Sequence, residues 1–279
     1  MAAEETTQVV AGEDQAAPDV EQSEVLPFAH GAAATYTARC PSRETPNEDM
    51  GAVIPVDDKR AILAVADGMG GPPGGAQAAS IAIDTLIETV NKAEVGEDGL
   101  RPIILNAFEA ANERVLELGI GSGTTLAVVE IDGVTMRPYH AGDSVILIVG
   151  QRGKVKLQTV AHSPVGYAVE SGLLDAGEAI HHEDRHIVSN IVGSPHMWIE
   201  IGPPRELAAR DTVVLGSDGL FDNLHVEEVI ELVRRGPLDQ AAKIVAKLAR
   251  GRMVLPEPGH PSKPDDLTFI LYRRSRGRA

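Results

Sequence analysis

Residues 60–71 read RAILAVADGMGG: six apolar residues, Ala61–Ala66, then Asp67 and Gly68 and a further glycine pair. An apolar run this short cannot span a bilayer and suits a strand buried on both faces. An Asp-Gly pair at its C-terminal end either turns the chain or sets a carboxylate at the sheet edge. The pattern recurs at 212–219, TVVLGSDG, where Thr212–Ser217 leads into Asp218 and Gly219. Two acid pairs stand at strand starts instead, Glu48 and Asp49 before Met50–Val56, and Asp265 and Asp266 before Leu267–Arg273. In antiparallel sheets the start of one strand and the end of its neighbour share an edge. All four acid sites can therefore meet on one rim, and Asp143, in the turn Gly142-Asp143-Ser144, can join them.

Working outward, Ala33–Arg39 and Arg60–Ala66 also read as strands. A helix at Gly75–Asn91 carries Ala79, Ile83, Leu86, Ile87 and Val90 on one face. A second starts at Pro102, a favoured first helical position, with Ile104, Ala107, Phe108, Ala111, Val115 and Leu118 as its stripe. Strands follow at Thr124–Ile131, Val134–Ala141, Val145–Val149 and Lys154–Gln158, with Asp132-Gly133 as a hairpin turn. Residues 159–205 are rich in His, Pro, Gly and Ser and read as an irregular flap or binding loop. Thr212–Gly216 is a strand, Val226–Arg234 and Leu238–Arg250 are helices, and Leu267–Arg273 closes as a strand. Strand, two helices, a meander of strands, two helices and a last strand indicate an α+β chain of antiparallel sheets packed with helices, not a β-α-β-α alternation.

The chain has 279 residues, 43% of them apolar and 24% charged, enough for one large domain with tails. One cysteine, Cys40, forms no internal disulfide and no Cys-rich zinc site, and fits a reducing compartment. Met1–Val10 carries acids where a secretory leader needs a basic start. These features make a cytoplasmic protein with no membrane partner the expectation. Lys and Arg number 25 against 41 Asp and Glu, a net charge of −16 and the wrong sign for nucleic acid. Residues 1–24 hold seven of the acids with no Lys or Arg and no steady periodicity. They are expected to form a disordered acidic tail reaching to residue 30. Arg273, Arg274, Arg276 and Arg278 make the end basic, with 275–279 as a short tail.

Carboxylates a few ångström apart repel one another unless a cation neutralises them. Oxygen donors without Cys or His favour hard ions such as Mg²⁺ or Mn²⁺. A glycine after a metal-binding Asp lets its own carbonyl turn in as a further ligand. A single Asp-Gly after a strand is most often only a turn. Two such units together with two acid pairs at strand starts point to a metal site. The glycine-rich stretch GMGGPPGG at 68–75 lacks the Lys-Ser/Thr ending of a P-loop. His162, His181, His182 and His186 do not have zinc-ligand spacing, and Trp198 reads as a packing anchor.

In chain order, PNEDM at 46–50, AVADGMGG at 64–71, GSGTT at 121–125, HAGDS at 140–144, LGSDGLFDNL at 215–224 and KPDDLTF at 263–269 carry a resemblance. As a set they resemble the metal-dependent serine/threonine protein phosphatases of the type-2C (PPM) class, over roughly residues 35–273. The resemblance implies a four-layer α-β-β-α fold, a central antiparallel β-sandwich flanked by helix pairs, in a phosphatase domain over 31–274. It implies a monomeric enzyme that hydrolyses phosphoserine and phosphothreonine on proteins with metal-activated water and no phospho-enzyme. It further implies two Mn²⁺ or Mg²⁺ ions on Asp67, the Gly68 carbonyl, Asp218 and Asp265. Glu48 and Asp49 stand close by or act through water, Asp67 and Asp218 are central to catalysis, and Asp143 matches a third, weaker metal position. Arg43, five residues before Glu48 where the family has four, is the expected phosphate anchor. Met69 and Pro72 stand where some members carry His, so no general acid is assigned. Val145 follows the GDS turn where Arg is frequent. Of Asp265 and Asp266, the first is expected to be the ligand and the second to hydrogen-bond a neighbouring loop. Two other readings are a catalytically inactive phosphatase fold used for binding, and a hydrolase of small phosphoesters.

Overall fold

The computed structural model describes residues 7–11, 25–71 and 73–275. Two antiparallel sheets face each other. The first orders its main strands Gln8–Ala11, Asp49–Pro55, Arg60–Met69, Leu126–Asp132, Thr135–Ala141 and Glu200–Ile201. The second orders Val155–Gln158, Val145–Val149, Thr212–Gly216, Leu267–Arg274, Gly31–Ala38 and Val25–Phe28. Helices Gly74–Lys92 and Arg101–Glu117 cover the outer face of the first sheet, and Val226–Val233 and Leu238–Val254 that of the second. This is the four-layer α-β-β-α arrangement that the resemblance implies.

The run at 61–66 shows why the layers form. Successive side chains of a strand point to opposite faces. Ile62, Ala64 and Ala66 therefore pack under the helices, while Ala61, Leu63 and Val65 join the core between the sheets. Both faces are dry, so the strand has no polar side. Alanines 78, 79 and 82 line the buried face of the covering helix, and their small size lets it lie close on the sheet.

The structure differs from the sequence reading in three places. First, the central strand does not stop at Ala66 but runs to Met69, because Gly68 pairs with Thr124 and Met69 with Gly123. Second, the acidic tail is not wholly without structure. Gln8–Ala11 pairs with Met50–Val53 at the edge of the first sheet, and Val25–Phe28 pairs with Gly31–Ala34 at the edge of the second. A four-residue edge strand needs an open row of backbone donors and acceptors beside it more than it needs an apolar face of its own. Pro27, without an N–H, suits an edge position. Third, the flap is partly regular. It holds helices Pro164–Glu170 and Ala176–Ala179, a 3₁₀ turn Glu183–His186, and short strands Glu200–Ile201 and Arg205–Glu206 that pair with Thr135–Ala141. Ser163 caps the first helix by accepting from Gly166 N–H, and Pro164 opens it. At the C-terminus, Arg273 and Arg274 are strand residues that donate to Thr212 Oγ1 and the Leu207 carbonyl, while Arg276 and Arg278 lie outside the described residues.

Deleting residues 1–11 removes the edge strand and bares the backbone of Asp49–Pro55. We expect the melting temperature to fall by a few degrees, with faster amide exchange along that strand. An unchanged melting temperature and exchange pattern would show that the edge strand contributes nothing.

Candidate metal centre

Strand register carries the acids to one rim. In the first sheet Asp49 stands directly opposite Asp67. In the second, Gly216 pairs with Val145 on one side and Phe269 on the other, which brings the segments holding Asp143, Asp218 and Asp265–Asp266 to the same end. Asp49 and Asp266 are buried, and Asp67, Asp143, Asp218 and Asp265 are partly exposed.

The electrostatics record how tightly these groups crowd. Burial, then Asp49, Asp218, Asp143 and Asp265, pushes the Asp67 carboxyl well above the ordinary aspartate range. Burial, then Asp266, does the same to Asp49, against a hydrogen bond from Ser217 Oγ at 2.8 Å. Asp143 is pushed up to about 7 by burial and by Asp218 and Asp222. Glu48 is raised by burial and Asp266, and its buried Oε1 has no hydrogen-bond partner. Carboxyls in this state are waiting for positive charge.

The backbone around them is built for close approach. A Cβ on Gly68 would lie 2.2 Å from the Gly75 carbonyl oxygen, and one on Gly219 would lie 1.9 Å from that of Asp266. Only glycine fits after either aspartate, so the two Asp-Gly pairs are packing requirements as well as turns. The GSGTT and GDS segments have a shared task. Thr125 Oγ1 accepts from Asp67 N–H at 2.9 Å and lies 2.7 Å from Ser144 Oγ, while Thr124 Oγ1 donates to the Asp67 carbonyl at 2.9 Å. They tie the Asp67 strand to the Asp143 turn.

Asp266 holds a neighbouring loop, as expected of it. Asp266 Oδ1 accepts from Cys40 N–H at 2.6 Å and its Oδ2 from Glu48 N–H at 2.8 Å, closing the loop between them. That loop carries Arg43, whose guanidinium lies 3.4 Å from Asp265 Oδ1. The extra residue before Glu48 therefore leaves Arg43 at the rim, with its side chain 48% exposed.

Several groups at the rim escape the sequence reading. Asp222 is raised by burial and by Asp218. It stands one helical turn after Asp218 in LGSDGLFDNL, a spacing that puts both on one face. Lys263 donates to Asp218 Oδ2 and lies 2.9 Å from Asp222 and 3.3 Å from Asp265. Burial lowers its pKa, but Asp218 and Asp222 outweigh burial and hold it above the ordinary lysine value. Two positions before Asp265 in extended chain was the available signal. Arg185, from the flap, lies 4.0 Å from Asp222. Beside these acids the flap and helix Val226–Val233 wall a groove of about 750 Å³ whose lining includes Asp143, Val165, Ile180, Phe221 and Asp222.

Trp198 is 44% exposed and rests one side on His162 at 5.2 Å between ring centres. Two trios of ligand-type atoms fall within 4.8 Å of one another among the described residues, His140–His162–Glu200 and His225–Glu228–His260, and the acid rim is not one of them. In each trio a candidate ligand atom is already engaged. Gly142 N–H donates to His162 Nδ1, which leaves the proton on Nε2 for Glu200 at 3.0 Å. A metal-bound imidazole needs the reverse arrangement. Arg252 grips both oxygens of Glu228 and lowers it to about 2. The rim spreads its acids more widely than either trio. Its oxygen donors, the unpartnered Glu48 oxygen and the glycine-only cradle fit hard divalent ions.

The family model for protein phosphatase 2C matches residues 38–248. The chain belongs to that family. It is a metal-dependent serine/threonine protein phosphatase by that membership. Protein phosphatase PhpP of Streptococcus pneumoniae is 31% identical over 191 residues, spanning 62% of this chain and 73% of PhpP. The solved serine/threonine phosphatase of S. agalactiae is 27% identical with a TM-score of 0.75, covering 86% of this chain and 98% of that one. The catalytic domain of PstP, solved in complex with 2 manganese ions, is 24% identical with a TM-score of 0.69, over 88% and 98% of the two chains, a likeness of fold. No helix among the described residues is long and apolar enough to cross a membrane.

Two outcomes follow for the metal-free phosphatase. Asp143, raised from 3.8 to about 7, holds its proton more tightly folded than unfolded. The stability it contributes is complete below the unfolded value and is lost as pH rises through about 7. Asp49 and Asp67 act in the same direction. The melting temperature of chelated protein should therefore fall between pH 5 and pH 8, and saturating Mn²⁺ should remove that fall. A rise over the interval without metal would contradict the picture. Separately, Asp266→Asn turns one acceptor into a donor facing an N–H, costing about 1–3 kcal/mol of stability with Mn²⁺ affinity nearly unchanged. Asp265→Asn should do the opposite, and calorimetry with scanning denaturation separates the two.

Proposed function

We propose that the rim residues divide the work of phosphoprotein hydrolysis as follows. Asp67, the Gly68 carbonyl, Asp218 and Asp265 hold two divalent ions, with Glu48 and Asp49 beside them acting directly or through water. Asp143 marks an outer, weaker position. When bound, the ions lower the pKa of water and offset charge on the phosphoryl oxygens. The crowding of Asp67 against Asp49, Asp143, Asp218 and Asp265 carries this reading, since divalent cations relieve such repulsion.

Arg43 receives the phosphate. Its planar fork lies at the open side of the rim, exposed enough to exchange Asp265 for a phosphoryl group. Asp266 positions Arg43 by clamping both ends of its loop. Asp49 takes a hydrogen bond from Ser217, which fixes its carboxylate beside the cluster. The groove next to Asp143 and Asp222 receives the polypeptide that carries the phosphoresidue. The catalytic unit spans 31–274 together with the edge strands before it. The enzyme is monomeric and cytoplasmic and acts on phosphoproteins, and its net charge of −16 speaks against nucleic acid as substrate.

Chelation should abolish turnover of a phosphothreonine peptide, and Mn²⁺ or Mg²⁺ should restore it. Arg43→Ala should raise KM for that peptide by about tenfold or more while Mn²⁺ affinity stays unchanged, with Arg43→Lys rescuing only in part. Full turnover in excess chelator would end the metal reading. Nucleotides cleaved faster than phosphopeptides would favour the small-phosphoester reading.

A further inference from the structure

Lys263 is placed with more care than a surface lysine requires. Its N–H donates to Asn223 Oδ1 at 2.9 Å, and its carbonyl accepts from Asn223 Nδ2 at 2.8 Å. Asn223 is fully buried, and its own carbonyl is held by Arg252 at 3.0 Å. Pro264 follows and restricts the backbone further. From this anchor the side chain sends its ammonium among three carboxylates, bonded to Asp218, 2.9 Å from Asp222 and 3.3 Å from Asp265.

A divalent ion at the outer position would draw on the same oxygens. Asp143, Asp218 and Asp222 line one groove, and the Lys263 ammonium is bonded to the second of them and lies 2.9 Å from the third. The ammonium, bonded to Asp218 Oδ2 and 2.9 Å from Asp222 Oδ2, competes with a further cation for those oxygens. The tether gives the ammonium a high effective concentration there, whereas a free ion must be supplied from solution.

We infer that Lys263 stands in for the third, weaker metal ion, so that this phosphatase works with two bound ions and a built-in ammonium at the outer position. The inference rests on the two-ion reading of the rim. It assigns Lys263 a positioning role toward Asp218 and Asp222, not a place among the groups that touch substrate. It also predicts a phosphatase insensitive to the rise in metal concentration that would fill an outer site.

The test counts metal. Equilibrium dialysis against Mn²⁺ up to about 5 mM, followed by elemental analysis, should give two ions per chain for the wild type. Lys263→Met and Lys263→Gln, both purified with Mn²⁺ present to keep them folded, should each give three. Lys263→Arg, which keeps the charge, should give two. In chelator the Met and Gln variants should melt several degrees below the wild type and gain more from Mn²⁺, because Asp218 and Asp222 have lost the tethered ammonium that pairs with both. Three ions on the wild type, or two on both neutral variants, would overturn the inference and leave the two-ion centre standing. No bound Mn²⁺ on the wild type would overturn both.

Discussion

Repulsion among carboxylates is the constraint on which the rest of this structure depends. Antiparallel register sets Asp49 directly against Asp67, and the second sheet brings Asp143, Asp218 and Asp265 to the same end. Left without cations, such a cluster holds its protons far above the ordinary range, as Asp67 and Asp49 do. The fold tolerates the cluster because its neighbours are fixed so firmly. Glycine at 68 and 219 lets backbone approach where any side chain would collide. Lys263, Arg43 and Arg185 bring positive charge from three separate segments.

The same rim is where the two sheets are joined. Ser217 leaves the second sheet and donates to Asp49 of the first, while its hydroxyl also receives the Thr268 N–H at 3.1 Å. Asp266 opens a strand of the second sheet and holds Glu48 at the mouth of the first. Buried polar networks of this kind are strong only when complete. Removing one member loosens the joint between the sheets.

The flap is connected to this joint through His162. Fully buried, it stacks on His140 at 4.3 Å between ring centres and accepts from Gly142, the residue before Asp143. Asn190 braces the same ring and binds the Trp198 backbone. The groove wall and the Asp143 turn are thus parts of one hydrogen-bonded unit.

Much of the fold was legible in the chain because its signals are local. The apolar run at 61–66, the hairpin at Asp132-Gly133 and the alanine-lined helix after Gly74 each announce themselves within a few residues. Acids at strand starts and strand ends were enough to expect one rim, since antiparallel pairing forces those ends together. That Asp265 and Asp266 face apart was also readable, because neighbouring residues of an extended chain do so, and the loop hydrogen bonds of Asp266 agree. What the tertiary structure alone decided came from partners distant in sequence. The strand at 8–11 exists because the edge of Asp49–Pro55 accepts it, which its acidic surroundings do not suggest. Asp222 matters because Asp218 begins a helical turn instead of ending a loop. Lys263 reads as an ordinary polar residue before a strand until Asn223, forty residues earlier, pins its backbone and turns its ammonium onto the acids. A sequence displays the period of each element, but the register between elements is set by packing across the whole core, and charge pairing at the rim follows register.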